Sequence, residues 1–162
     1  MRYEHIVDGW WEMPGAPVPA LGWPGTKNGA SHRLWLPQAA QQLLTVDKTS
    51  GFVFTARRGS GAVGKLATAM RDICKTLGVE RATPHDLRRT HGTMITRLGF
   101  GRDIMNRIQN HAEGGIASVY DRHQYAEEIK RTMEAVAQKI MTLVEGITTT
   151  DNVTPLLSAR SR

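Results

Sequence analysis

The chain has one cysteine, no long apolar run and no grouping of histidines with carboxylates, and each shortage excludes a class of function. Cys74 alone cannot build an internal disulfide framework, which fits a reducing cytoplasm. No apolar stretch approaches the roughly 18 residues that a membrane helix needs. The opening residues, MRYEHIVDGWW, lack the apolar core of a secretory signal, so export is not expected. The histidines have no companion carboxylates at metal-ligand spacing, so a zinc site is not expected. No internal repeat is visible.

What is present is ordinary in bulk and uneven in charge. The 162 residues suffice for one domain with a core, and 40% are hydrophobic against 22% charged. The formal charge of +6 points to a polyanionic partner, most often nucleic acid. Of the 21 Lys and Arg, 14 lie between Arg57 and Arg131, where only 8 of the 15 Asp and Glu are found. The whole basic excess sits in that segment.

Residues 2 to 13 read as two short strands around an Asp8-Gly9 turn. Residues 14 to 25 form a Pro/Gly loop. Asn28-Gly29 signals a hairpin turn, and SHRLWL returns as a strand. Pro37 starts a helix expected to reach about Val46, and residues 52 to 54 suggest a brief strand. From about Ala62 the pattern turns helical, with Val63, Leu66, Met70, Ile73, Cys74 and Leu77 at helical spacing until Gly78. Thr83 is a plausible N-cap, Pro84 suits the first helical position and Asp86 the first turn. Leu87, His91, Met94, Ile95 and Leu98 form the expected buried stripe, which makes His91 a core histidine. A helix from Arg102 to about Gln109 turns Ile104 and Ile108 inward. A loop, a short helix from Ile116 to about Arg122 and a long helix from Gln124 to about Val144 follow. On the long helix, Met133, Val136, Ala137, Ile140 and Leu143 look apolar on one side. The expected class is α+β: a small N-terminal antiparallel β-hairpin sheet, then a mainly α-helical domain. Residues 146–162 read as a flexible polar tail.

The chemistry gathers in ATPHDLRRTHGTM, residues 82 to 94. His85 and Arg88 are three apart, so they are neighbours on one helix face near its N-terminus. Backbone amides there favour an anion, the guanidinium offers a fork of donors matched to phosphate oxygens, and the imidazole can donate or move a proton. By itself the tetrapeptide is more often a capped helix with a solvated basic face. Downstream, NHAEGGIASVYDRHQY holds His111 and Tyr120. A phenol has a pKa near 10, so a tyrosine nucleophile needs cations and imidazoles close by. His85, Arg88 and His111 could serve Tyr120 in that way, and Lys27 on the hairpin tip could hand a proton to a departing oxygen. Tyr125 is the rival nucleophile but suits packing on the long helix. The four tryptophans suit core or hairpin packing.

TPHDLRRTHGT, followed by NH and a tyrosine nine residues after that histidine, resembles the catalytic domain of the tyrosine recombinases, the phage integrase family. TKNGASHRLWLP resembles the family's hairpin with its lysine, RYEHI its first strand, and VYDRHQYAEEIKRTMEAVAQKI the ending of prophage-type integrases. The resemblance spans about residues 1–145. It implies that Tyr120 attacks a DNA backbone phosphate and forms a 3′-phosphotyrosyl link, releasing a 5′-hydroxyl. It assigns Arg88 to the non-bridging oxygens, His85 as donor or base beside it, His111 to the phosphate and Lys27 as the acid. Arg89 and Arg122 become candidate contacts to double-stranded DNA. It implies no metal and no cofactor, a homo-oligomer (a tetramer on DNA), and a cytoplasmic, nucleoid-associated, membrane-free location.

The family carries a further arginine on a helix just before the strand that RYEHI resembles, whereas this sequence starts at that strand. Arg2 lies within it and is a poor substitute. The expectation is an impaired fragment lacking its first helices and its core-binding domain: either a truncated prophage or mobile-element gene, or a start codon assigned too late at an internal methionine. Asn110 also stands where a glycine is usual. Two other readings remain open: a non-catalytic helix-turn-helix-like DNA-binding module over 83–98 and 102–109, and an inactive remnant.

Overall fold

The computed structural model describes residues 1–44, 48, 50–56, 61–111 and 125–146. Among these residues three short antiparallel strands, β1 (Ile6–Val7), β2 (Trp10–Met13) and β3 (His32–Trp35), form a sheet in the order β1-β2-β3. Asp8 and Gly9 reverse the chain with φ 48 and 80, the left-handed pair that matches strand twist in a two-residue hairpin. Val7 then faces Trp10 across the ladder. The strand expected from residue 2 is interrupted, because Tyr3–His5 form a single 3-10 turn. Arg2 donates from Nη2 to Glu4 Oε1 at 2.8 Å, and that oxygen also accepts from Gly51 N–H at 3.0 Å. These bonds curl the segment before it can pair.

The Asn28-Gly29 turn forms, but differently from the expectation. Residues 22–27 make no strand, and β3 pairs with β2, with Trp10 opposite Trp35 and Met13 opposite His32. Gly29 alone is left-handed, at φ 71, and its N–H closes the turn on the Thr26 carbonyl at 3.1 Å. The long β2–β3 connection is drawn shut at Gly15. Its N–H donates to Ser31 Oγ at 3.1 Å, and its carbonyl accepts from Thr26 N–H at 3.1 Å.

Among the described residues five helices follow: α1 (Gln38–Gln41), α2 (Leu66–Leu77), α3 (Pro84–Arg97), α4 (Arg102–Ile108) and α5 (Ala126–Val144). α1 is one turn, not the ten residues expected. Leu43 is 86% exposed, so a longer helix would have no buried face to hold it. Around residues 52–54 there are only single bridges, Arg2 to Phe52 and Thr55 to Ala62. α2 starts later than expected and buries only Cys74, leaving Leu66, Ile73 and Leu77 exposed.

α3 matches its sequence signals at the start. Thr83 Oγ1 accepts from Asp86 N–H, the Asp86 carboxylate accepts from Thr83 N–H at 2.9 Å, and Pro84 takes the first helical position. The expected stripe is corrected: Leu87 and Leu98 are exposed, while Gly92 and Ile95 are buried and His91 is half-buried. The cause is α4, which crosses α3 so closely at Gly92 that a Cβ there would lie 2.8 Å from Gln109 Nε2. Ile95, Ile104, Ile108, Ile129, Val136 and Trp10 form the core.

α5 lies across the end of β3. Glu134 accepts from the Trp35 indole N–H at 2.8 Å and from the Gln38 amide at 3.3 Å, and Lys130 Nζ sits 4.5 Å from the Trp35 ring centre. The apolar side expected on α5 docks only over its first half. Met133, Val136 and Ala137 are buried or half-buried, and Ile140 and Leu143 are exposed. The architecture is α+β.

Candidate active site

Three separated pieces of sequence meet at one end of α3. The first is the opening of α3, with His85, Arg88 and Arg89 all exposed. The second is the C-terminal turn of α4 with Gln109, Asn110 and His111. The third is the β2–β3 connection, with Lys27 exposed at its tip and His32 at the base of β3.

The α3 and α4 pieces are joined reciprocally. Arg88 Nη2 donates to the Gln109 carbonyl, and Gln109 Nε2 donates to the Arg88 carbonyl at 2.9 Å. A guanidinium has five N–H donors, so one bond orients Arg88 and leaves the others for a ligand. α4 ends in a left-handed residue, Asn110 at φ 50. The His111 N–H reaches back to the Asn106 carbonyl at 2.9 Å, and His111 Nδ1 lies 3.3 Å from Asn106 Oδ1. These contacts fix the backbone and ring of an exposed histidine. The hairpin tip is tied to the same turn, since Asn28 Nδ2 donates to Asn110 Oδ1 at 3.2 Å. Lys27 is the residue before that tie.

His32 was not singled out by its sequence. Burial pushes the His32 pKa below the ordinary imidazole value, against a raising influence from the Ile108 backbone and with the Arg88 charge lowering it further. The signal available was its two-residue spacing from Leu34, which packs on the helical core. His91 is likewise held below the ordinary imidazole value, by burial first and then by Arg88.

The capping box changes how α3 can grip an anion. Thr83 and Asp86 use the first-turn donors on each other, and the Asp86 carboxyl sits below its ordinary value chiefly because the Thr83 hydroxyl donates to it. The helix start is therefore not an open amide cradle. The remaining donors in this neighbourhood are side chains, those of His85, Arg88, His111 and Lys27. Beside them, Arg89, Gly92, Thr93, Thr96, Arg102, Met105 and Gln109 line an open groove of about 350 Å³ between α3 and α4.

Tyr120 and Arg122 lie outside the described residues, as do His123 and the short helix expected around them. Tyr125 packs on the core with the Arg107 guanidinium 3.9 Å over its ring. Arg2 is committed to Glu4 through two hydrogen bonds. Among the described residues no helix is long and apolar enough to cross a membrane. No curated protein and no solved structure matches the chain. The pattern of the phage integrase family matches residues 24–127, which holds every described member of the site, and the chain belongs to that family.

Proposed function

We propose that this chain breaks and rejoins DNA strands through a covalent tyrosine intermediate. Its family points to DNA recombination and integration. The observation that carries the finer reading is the tie between the three pieces. Asn28 binds Asn110 and Arg88 binds Gln109, which ties the hairpin tip and the start of α3 to one turn of α4 and supports a shared role for Lys27, His85, Arg88 and His111.

In this reading the Tyr120 hydroxyl attacks a backbone phosphorus and loses its proton to His85. The bond from phosphorus to the 5′-oxygen breaks, and the Lys27 ammonium protonates that oxygen to a free 5′-hydroxyl. The product is a 3′-phosphotyrosyl link, which a second 5′-hydroxyl reverses. Arg88 and His111 carry the charge that grows on the non-bridging oxygens. Arg89 and Arg122 hold flanking phosphates of double-stranded DNA, and the working form on DNA is a tetramer in the nucleoid. Arg2 is held by Glu4, so in this reading Arg88 is the clamp arginine among the described residues. One such donor is typically worth about 10²–10³ in rate. In this reading the gene is of prophage or other mobile-element origin.

The test uses duplexes of randomised sequence carrying 5′-bridging phosphorothiolate linkages, whose sulfur leaves without needing an acid and traps the adduct. The wild type should form a denaturant-resistant protein–DNA adduct. Tyr120→Phe should form none while still retarding DNA. An equal adduct from Tyr120→Phe would move the nucleophile to Tyr125. Retardation with no adduct from either protein would favour the helix-turn-helix-like binding module.

A further inference from the structure

Gln109 follows Ile108 at the end of α4 and is buried, although its side chain is an amide. Burying an amide is unfavourable unless it is hydrogen-bonded, so the bond it makes points to its task. Its Nε2 donates to the Arg88 carbonyl, inside α3, at 2.9 Å. In an α-helix that carbonyl is aimed at the amide four residues on, here that of Gly92. A side chain at 92 would stand in the way of any other donor. Gly92 has none, and a Cβ there would lie 2.8 Å from Gln109 Nε2 and 3.2 Å from Met105 Sδ. The glycine is the opening through which Gln109 reaches the main chain of Arg88.

The same two residues are bonded a second time in the opposite direction, with Arg88 Nη2 donating to the Gln109 carbonyl. A guanidinium held by one bond to a neighbouring helix can pivot, and it shifts whenever that helix slides. Two bonds close a loop: from the Arg88 main chain through the Gln109 amide to the Gln109 main chain, and back through the guanidinium. We propose that Gln109 is a positioning residue of the site: its side-chain amide, admitted by Gly92, pins the end of α4 to the Arg88 carbonyl, so that the Gln109 carbonyl holds the Arg88 guanidinium at a set place and angle. Gln109 also adjoins Asn110, which binds Asn28 beside Lys27, so the same turn relates Arg88 to the lysine tip. The role differs from those of His85 and His111, which are exposed.

The inference rests on the phosphate-binding reading of Arg88, so the experiment has readouts that need no DNA. In the wild-type chain, NMR should show a scalar coupling across the hydrogen bond from the Gln109 side-chain nitrogen to the Arg88 carbonyl carbon. The Arg88 guanidinium signals, assigned with Arg88→Lys, should show hindered rotation. Two variants break the amide bond from opposite sides. Gln109→Met keeps the length and bulk but removes the donor. Gly92→Ala keeps Gln109 and displaces its Nε2, the free end of a flexible side chain, while alanine suits a helix interior, so the fold should stand. In both, the Arg88 signals should lose their hindered-rotation pattern. Adduct formation on saturating phosphorothiolate duplex should fall by about 10²-fold, the usual cost of a misplaced group, while duplex affinity holds. Absence of the coupling in the wild type would overturn the proposal, as would Arg88 signals that stay hindered in both variants. So would losses that follow the melting temperature alone. If the wild type forms no adduct, the recombinase reading fails, and the coupling and the Arg88 signals still decide whether Gln109 positions Arg88.

Discussion

Replacing Gly15 by alanine should damage the hairpin that carries Lys27, and the size of the damage follows from distances. A Cβ on Gly15 would lie 2.1 Å from the Gly29 carbonyl oxygen, 2.7 Å from the Ser31 nitrogen and 2.8 Å from the Ala30 carbonyl carbon. All three are backbone atoms of the opposite limb, so none can swing aside as a side chain would. The limbs must part, which strains the Ser31 and Thr26 bonds to Gly15. Forcing extra volume into a closed contact typically costs about 1–3 kcal/mol. At about 2–4 °C per kcal/mol for a chain of this size, the melting midpoint should fall by roughly 2–12 °C. Gly64→Ala is the control. Nothing lies within 4 Å of its new Cβ, so its midpoint should match the wild type. Adduct formation, measured well below both midpoints, should drop in Gly15→Ala and not in Gly64→Ala, because only the first displaces Lys27. If Gly15→Ala melts with the wild type, the two limbs are not in contact and the placing of the tip is wrong.

Three further outcomes are expected. The Glu4 carboxyl is held at about 2, by the Arg2 hydrogen bond first and the Gly51 N–H next. Because that is below its ordinary 4.5, its contribution is whole above pH 4.5 and is lost as pH falls towards 2. Glu4→Gln should flatten the acid limb of urea-unfolding stability, and an unaltered limb would refute the pairing. Glu134→Ala removes the acceptor for the Trp35 indole and the Gln38 amide and should cost about 1–3 kcal/mol in urea unfolding. A neutral result would mean that α5 is not held to β3 there. Arg89→Ala should lower the slope of log affinity against log salt by about 1 if Arg89 meets a DNA phosphate, and an unchanged slope would remove it from the interface.

The α+β order and the helix boundaries at Thr83, Gly78 and Gly99 were legible because each depends on local chemistry. Thr-Pro-x-Asp caps itself, and a left-handed residue suits glycine. The Asp8-Gly9 turn was legible for the same reason. Burial was less so. The stripe on α3 was placed along Leu87 and Leu98, but α4 packs at Gly92, a residue with no apolar side chain to announce it. The α2 pattern was periodic, yet its neighbours cover only Cys74. In the site, His85, Arg88, His111 and Lys27 stood out by charge and spacing. Gln109 did not, because its importance lies in which distant carbonyl it meets. No local window of sequence contains that information.

Asn110 shows how one residue can exchange one kind of freedom for another. At φ 50 a glycine would close α4 with least strain, and the asparagine accepts that strain while reaching Asn28. Strain and hydrogen bond are each of order 1 kcal/mol, so the exchange is nearly neutral for stability. It is not neutral for inheritance. With asparagine at 110, position 28 is constrained to offer an amide or a similar donor. With glycine at 110, position 28 would be released from that demand, and the lysine tip would need another anchor. Positions 28 and 110 should therefore change together among relatives, as a coupled pair written 82 residues apart.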